Sequence, residues 1–155
     1  MISLMQFVPI QRDGGVHLGG VALAESLKPV IAQTVQMYNR NGYVEPWLGY
    51  LAIEGGDCVG TCAFTAPPAG GGVEIAYFTF PAFEKRGIAT RMAGRLVEIA
   101  RESNRSVRII AHTLTEENAS TRILRKLGFV LNGTITHPED GCVWLWSHAI
   151  LPARD

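Results

Sequence analysis

From Tyr77 to Thr90 the chain reads YFTFPAFEKRGIAT. An aromatic and β-branched run ends at Pro81, and a short turn follows. Ile88, Met92, Leu96 and Ile99 then recur on one helical stripe. A turn that feeds a helix near Gly87 leaves backbone N–H groups without partners, and the helix dipole adds positive charge there. Such a place suits an anion, and a pyrophosphate fits it. Gly87 allows close approach to the backbone, and Ala89 is nearly as small. Lys85 and Arg86 add positive charge at the rim. Plain packing of strand on helix would use the same turn, so the segment alone leaves both readings open.

The surrounding elements must position this turn. Residues 2–9 read as a strand, and RDGGVHLGG as a loop. Between 21 and 39, Leu27, Val30, Ile31, Val35 and Tyr38 keep helical spacing, and Pro29 inside the span predicts a break into two short helices. Residues 47–54, 57–65 and 73–80 read as three strands joined by Gly- and Pro-rich turns, an antiparallel meander. A helix is expected over 87–102, and a buried strand, VRIIAH, over 107–112. A second helix is expected over 118–127 with Ile123, Leu124 and Leu127 facing inward. It stops at Gly128, a residue suited to the left-handed cap. Strands at 129–136 and 142–149, joined by HPEDG, complete the order β-αα-β-β-β-α-β-α-β-β. A meander followed by alternating helices indicates a mixed α/β sheet.

Composition narrows the function class. The 155 residues are 47% hydrophobic and 18% charged, enough apolar material for a sizeable core, and one domain over 1–155 is expected. Lys plus Arg equals Asp plus Glu at 14 each, which argues against a nucleic-acid binder. No apolar run approaches the roughly 20 residues that span a bilayer, and the N-terminus lacks the basic start and cleavage site of a signal peptide. Cys58, Cys62 and Cys142 are odd in number, which fits reduced thiols and a cytoplasmic location. Cys58 and Cys62 share a strand face without further ligands nearby, so they read as core-filling side chains, and no metal is expected.

The stretch with Pro81, Gly87 and Ala89 resembles the acetyl-CoA signature of the GNAT acetyltransferase superfamily, Gln/Arg-x-x-Gly-x-Gly/Ala after a strand and a proline. A second block, TEENASTRILRKLGF at 115–129, resembles the Asn-x-x-Ser…Lys-Leu-Gly-Phe segment of its RimJ/RimL-like branch. The two blocks stand about 30 residues apart with a buried strand between. The resemblance implies a GNAT-like α/β (α+β) fold, a mixed, mostly antiparallel sheet with splayed central strands and flanking helices. It implies acetyl-CoA as cosubstrate, a primary amine as acceptor, direct attack on the thioester, and a homodimer as the family-level assembly. Tyr77, Phe78 and Thr79 would pair with the pantetheine arm like an added strand. Backbone N–H groups of Lys85, Arg86, Gly87, Ile88, Ala89 and Thr90 would hold the pyrophosphate. Asn118 would bond the pantetheine region.

Two positions depart from the first pattern, and in the second block Asn118 stands one residue later than usual, two before Ser120 or three before Thr121. Glu84 stands where Gln or Arg is usual and must point away or pair with Arg86 or Arg91. Lys85 stands where glycine is frequent. Transfer needs a neutral amine, a stabilised oxyanion and a leaving thiolate. The resemblance makes Glu74 the base, with an outward ion pair as its bland reading. A backbone N–H of Phe78 or Thr79 would meet the oxyanion. The tyrosine that many relatives use as acid is Leu124 here, so Ser120, Thr121 or water would protonate the thiolate, although both hydroxyls also suit a helix cap. His112 is a candidate for the acceptor cleft or for a structural hydrogen bond. Tyr38, Tyr43 and Trp47 are candidates for acceptor contact or for packing, and Trp144 and Trp146 share one strand face as core or dimer contact. A non-catalytic acyl-CoA sensor is the alternative of another class. A dinucleotide-binding domain fits poorly, because no GxGxxG follows the first strand. A polyamine acceptor fits poorly with the balanced charge.

Overall fold

A computed structural model describes residues 4–19 and 24–148. Its elements follow the expected order. β1 (Gln6–Pro9) is followed by a 3-10 turn (Glu25–Leu27) and α1 (Lys28–Asn41). β2 (Gly49–Glu54), β3 (Asp57–Phe64) and β4 (Gly72–Thr79) come next. Then come α2 (Ile88–Ser103), β5 (Arg108–Thr113), α3 (Ala119–Lys126), β6 (Phe129–His137) and β7 (Gly141–His148). The expected break at Pro29 is not where the structure puts one. Pro29 sits in the first turn of α1, where a missing N–H costs no helical bond, and the helix runs on unbroken to Asn41. The outer parts of the expected segments at 2–3, 21–23 and 149 lie outside the described residues.

The seven strands form one sheet in the order β1-β2-β3-β4-β5-β7-β6. Neighbours are antiparallel except β4 and β5, which are parallel. That pair is short. It runs Gly72↔Arg108, Val73↔Ile109, Glu74↔Ile110 and then ends, while β4 stays paired with β3 up to Thr79. The sheet is therefore split along the second half of β4, the splayed centre that the fold class calls for.

The two faces of the sheet carry different helices. A Cβ at Gly60 would meet Met92 of α2, and a Cβ at Gly49 would meet Thr34 of α1. Gly60 stands opposite Thr79 and Gly49 opposite Ala63, and residues directly opposite share a face. Period-two alternation then puts Val73, Ile75, Tyr77 and Thr79 on the α2 face and Glu74, Ala76 and Phe78 on the α1 face. Ile88, Met92, Ala93, Leu96, Ile99 and Ala100 form the buried stripe of α2. Gly94 lies within that helix, and a Cβ there meets only Leu127 Cδ2 at an ordinary 3.6 Å. Gly94→Ala should raise stability by about 0.5–1 kcal/mol, read by thermal unfolding, because it removes backbone freedom from the unfolded chain without a clash. Trp146 is fully buried and donates its indole N–H to Thr113 Oγ1 at 2.9 Å, with half-buried Trp144 beside it at 6.3 Å between centroids. The core reading of this pair holds. Cys62 is buried and Cys58 half-buried, and burial pushes both thiols up. Among the described residues no helix is long and apolar enough to cross a membrane.

Candidate active site

The site is built around the free edge of β4. Phe80 N–H donates to Val59 O and Glu74 O accepts from Thr65 N–H, both at 3.0 Å on the β3 side. Arg108 N–H donates to Gly71 O on the β5 side at 2.8 Å. Alternation therefore turns the backbone groups of Phe78 toward β3 and those of Tyr77 and Thr79 toward the gap that β5 leaves. This corrects one expectation. Phe78 N–H faces its own ladder and cannot meet an oxyanion in the gap, whereas the N–H groups of Tyr77 and Thr79 can.

A cavity of about 630 Å³ opens along that edge between the start of α2 and α3. Of the expected cofactor residues, Tyr77, Phe78, Thr79, Lys85, Gly87, Ile88, Ala89 and Thr90 line it. Gly87 is left-handed at φ 74°, caps α2 without a side-chain bond, and would put a Cβ into open space. The first N–H groups of α2 are thus left for a ligand. Lys85 also takes a left-handed φ of 65°, which accounts for glycine being frequent at that position. Arg86 does not line the cavity and lies over the Phe83 ring at 5.5 Å. Burial pushes the Tyr77 phenol up to about 12, so it stays neutral beside the gap.

Two observations test the fit to a phosphopantetheine ligand. Thr79 Oγ1 is buried, lines this cavity, and has no hydrogen-bond partner among the described residues. Arg122 and Lys126 of α3 reach the same cavity, four residues apart on one helix face. A hydroxyl awaiting a polar group, a bare helix N-terminus and two cations suit a long arm ending in phosphates. Sequence reading missed the two cations, although their spacing from Asn118 marks the face.

Glu84 breaks the pattern of positive charge. Arg91 forms a two-pronged ion pair with Glu54, Nη1 to Oε2 and Nη2 to Oε1 at 3.1 Å, which holds the Glu54 carboxyl below its usual range. The expected pairing of Glu84 with Arg91 is thus taken, and Glu84 stays at the cavity rim. Glu84→Gln should tighten acetyl-CoA binding by roughly two- to five-fold by calorimetry, the scale of one exposed charge. An unchanged or weaker affinity would show that the carboxylate does not face the phosphates.

The hydroxyls of α3 separate by burial. Asn118 is the N-cap, its Oδ1 accepting from Thr121 N–H at 3.1 Å, while Thr121 Oγ1 accepts from Asn118 N–H at 3.0 Å. Thr121 is fully buried in this capping box, whereas Ser120 lines the cavity. Asn118 is not part of the cavity wall. Asn118→Ala should cost about 1 kcal/mol of stability in thermal unfolding. Leu124 is fully buried, so the tyrosine position supplies no acid.

On the α1 face Glu74 does not stand alone. Its Oε2 lies 2.8 Å from His112 Nδ1, and its Oε1 lies 3.4 Å from Thr65 Oγ1. His137, from the end of β6, joins them. One ligand atom from each of Glu74, His112 and His137 lies within 4.8 Å of the others, and the two imidazoles meet edge to face at 5.1 Å. Sequence reading missed His137, since no local pattern ties it to positions 74 and 112. A second cavity, of about 480 Å³, lies on this face between α1 and the β3–β4 strands. Its wall includes Gln33, Thr34, Met37 and Arg40, and it shares Tyr77 and Phe78 with the first cavity.

The aromatic candidates lie elsewhere. Tyr38 is buried. Its hydroxyl donates to Ile10 O at 2.7 Å and accepts from Gly49 N–H at 2.8 Å, bolting α1 to the sheet. Burial pushes its phenol up to about 12. Trp47 is buried against Phe64, and Tyr43 packs on Tyr38 under Arg12. None of the three lines either cavity, because tying α1 and the following loop to the sheet turns these rings inward.

Comparison with known proteins agrees with this geometry. Residues 21–130 match the family model described as an acetyltransferase (GNAT) domain. No match was found among curated proteins. Among solved structures, RimL, a ribosomal L7/L12 alpha-N-protein acetyltransferase in complex with coenzyme A, superposes with a TM-score of 0.65 at 20% identity, covering 84% of this chain and 75% of that one. The ribosomal-protein-S5-alanine acetyltransferase from Vibrio fischeri gives 0.68 at 14% identity, covering 97% of each chain. The microcin C7 self-immunity acetyltransferase MccE, in complex with acetyl-CoA and AMP, gives 0.62 at 20% identity, covering 79% of this chain and 69% of that one. With its split sheet, its bare helix N-terminus after β4 and a family match over most of its length, the chain belongs to the GNAT acetyltransferases.

Proposed function

We propose that this protein is an N-acetyltransferase of the RimJ/RimL-like branch that moves the acetyl group of acetyl-CoA onto a primary amine by direct attack on the thioester. The observation that carries the reading is the gap beside β4. A cavity with a helix N-terminus and two cations lies along it, and a carboxylate–imidazole pair, which lines neither cavity, stands on the α1 face of the same strands. Acetyl-CoA supplies the activated acyl group. The N–H groups of Ile88, Ala89 and Thr90, with Lys85, Arg122 and Lys126, hold its phosphates. The backbone edges of Tyr77 and Thr79 hold the pantetheine arm like an added strand, and Thr79 Oγ1 gains a partner there. The acceptor enters from the α1 face, over Phe78. Thr79 or Tyr77 N–H stabilises the charge that builds on the carbonyl oxygen. The Glu74–His112 pair receives the proton of the amine, and Ser120 gives one to the departing sulfur. The reduced cysteines suit a cytoplasmic enzyme.

Calorimetry with acetyl-CoA, followed by thiol release against amino acids, peptide N-termini and small amines, tests this. Binding with turnover on an amine supports the enzyme. Binding without turnover across the panel favours the sensor reading. An absence of binding overturns both.

A further inference from the structure

Within the Glu74–His112–His137 cluster, we propose that His112 Nε2 is the atom that takes the proton from the acceptor amine, with Glu74 as the residue that orients it. The assignment rests on the transferase reading above. It follows from hydrogen-bond bookkeeping in the cluster. An ionised carboxylate only accepts, so the 2.8 Å contact between Glu74 Oε2 and His112 Nδ1 places a proton on Nδ1. A neutral His112 then carries its lone pair on Nε2. Glu74 Oε2 is engaged by His112, and Oε1 has a longer 3.4 Å contact with the Thr65 hydroxyl.

Position along the sheet points the same way. β4 and β5 run parallel, and Glu74 is level with Ile110 in their last paired rung. His112 stands two residues further on the same face, about 6–7 Å closer to the free edge of Tyr77 and Thr79. His112 is thus the member of the pair one rung nearer the gap, although its side chain is the more buried of the two, 13% exposed against 27% for Glu74. An imidazole also suits the task by type, because its ordinary titration lies nearer neutrality than that of a carboxylate.

His137 completes the tautomer argument. Its Nδ1 accepts the backbone N–H groups of Glu139 and Asp140 at 3.1 and 3.3 Å. These two shorter contacts favour a proton on Nε2, against the Asp140 carboxylate that lies 3.4 Å from the same Nδ1. Two imidazoles and a carboxylate are also a donor set for a divalent transition metal. A metal would need a bare Nε2 on His137, and the turn of β6 into β7 holds the opposite tautomer. His137 packs against His112 and keeps its ring in place without trading protons.

In the step, the amine nitrogen bonds the acetyl carbon as one of its N–H bonds breaks, and the proton goes to His112 Nε2. The electron pair of the C–S bond leaves with the CoA sulfur. The thiolate takes a proton from Ser120, which recovers it from solvent, and the imidazolium releases one to solvent. The cycle is proton-neutral.

Nitrogen-15 side-chain spectra of the protein without ligands test the tautomers directly. His112 should carry its proton on Nδ1 and His137 on Nε2, and Glu74→Ala should release His112 from that preference. On the best acceptor of the amine panel, His112→Gly should lose 100-fold or more in kcat, and added imidazole should restore at least ten-fold. Imidazole should not restore Glu74→Ala. A proton on Nε2 of His112, or a folded His112→Gly that keeps a tenth of the turnover, overturns the assignment. So does stoichiometric Zn²⁺ binding that His137→Phe abolishes. The expected tautomers in a wild-type protein that acetylates no amine would overturn the transferase reading, and the base assignment with it. The wrong tautomer in an active enzyme would overturn the assignment alone.

Discussion

Glu74→Gln should lower kcat for acetyl transfer by two to four powers of ten while leaving acetyl-CoA affinity within about two-fold, measured by steady-state thiol release and by calorimetry. The substitution keeps the size of the side chain and one acceptor oxygen for His112, and removes only the charge. An amide can donate to Nδ1 as well as accept from it, so the His112 proton is no longer held on Nδ1 alone, and nothing balances the imidazolium that forms when the amine gives up its proton. The cofactor is spared because Glu74 points to the α1 face and forms no part of the wall of the phosphate-side cavity. A kcat within three-fold of wild type would remove the carboxylate–imidazole pair from the mechanism. A matching loss of acetyl-CoA affinity would mean that the charge serves the fold of β4 instead.

Gly60→Val should cost about 3 kcal/mol of stability and weaken acetyl-CoA binding by ten-fold or more. A Cβ at this position would meet Phe78 O at 2.6 Å and Met92 Cε at 2.9 Å. The methionine can swing away. The carbonyl cannot, because it belongs to the β3–β4 ladder. Relief comes only by pushing β4 toward the gap, and that moves the backbone edges of Tyr77 and Thr79 on which the pantetheine arm would lie. For a chain of this size about 3 kcal/mol corresponds to a melting temperature lower by roughly 6–12 °C. A variant that melts with the wild type would show that the strands yield without strain. One that melts early yet binds normally would detach this edge from cofactor binding.

The contrast with Gly94→Ala shows what decides each outcome. Both positions are glycines facing α2 or lying in it, and sequence alone ranks them alike. At Gly94 the space is open to a methyl group, and at Gly60 another backbone fills it.

Several features were legible because their causes are local. The strand-turn-helix from Tyr77 to Thr90 announces itself by an apolar period that changes from two to 3.6 across a proline and a glycine. The start of α3 and the stop at Gly128 depend on neighbours within one turn and sit where the pattern put them, although the N-cap is Asn118, which the resemblance had turned toward the pantetheine. The order of elements follows from the same periodicities. Pro29 misled, because a proline breaks a helix only beyond its first turn, and the true start at Lys28 is set by the 3-10 turn before it.

Sheet register decided the rest. Whether Phe78 or Thr79 presents its N–H to the gap turns on which residue faces Val59 across β3, a pairing between segments far apart in the chain. Tyr38 looked like a pocket residue until its hydroxyl met Ile10 O, 28 residues away. Glu74 and His112 lie 38 residues apart and belong to separate strands, and His137 arrives from a third. Residue types and short spacings carried the cofactor cradle, since a helix N-terminus makes its own field. The grouping of Glu74 with His112 and His137 carried no such signature, because a carboxylate and two imidazoles come together only where the parallel pair ends and the strands part.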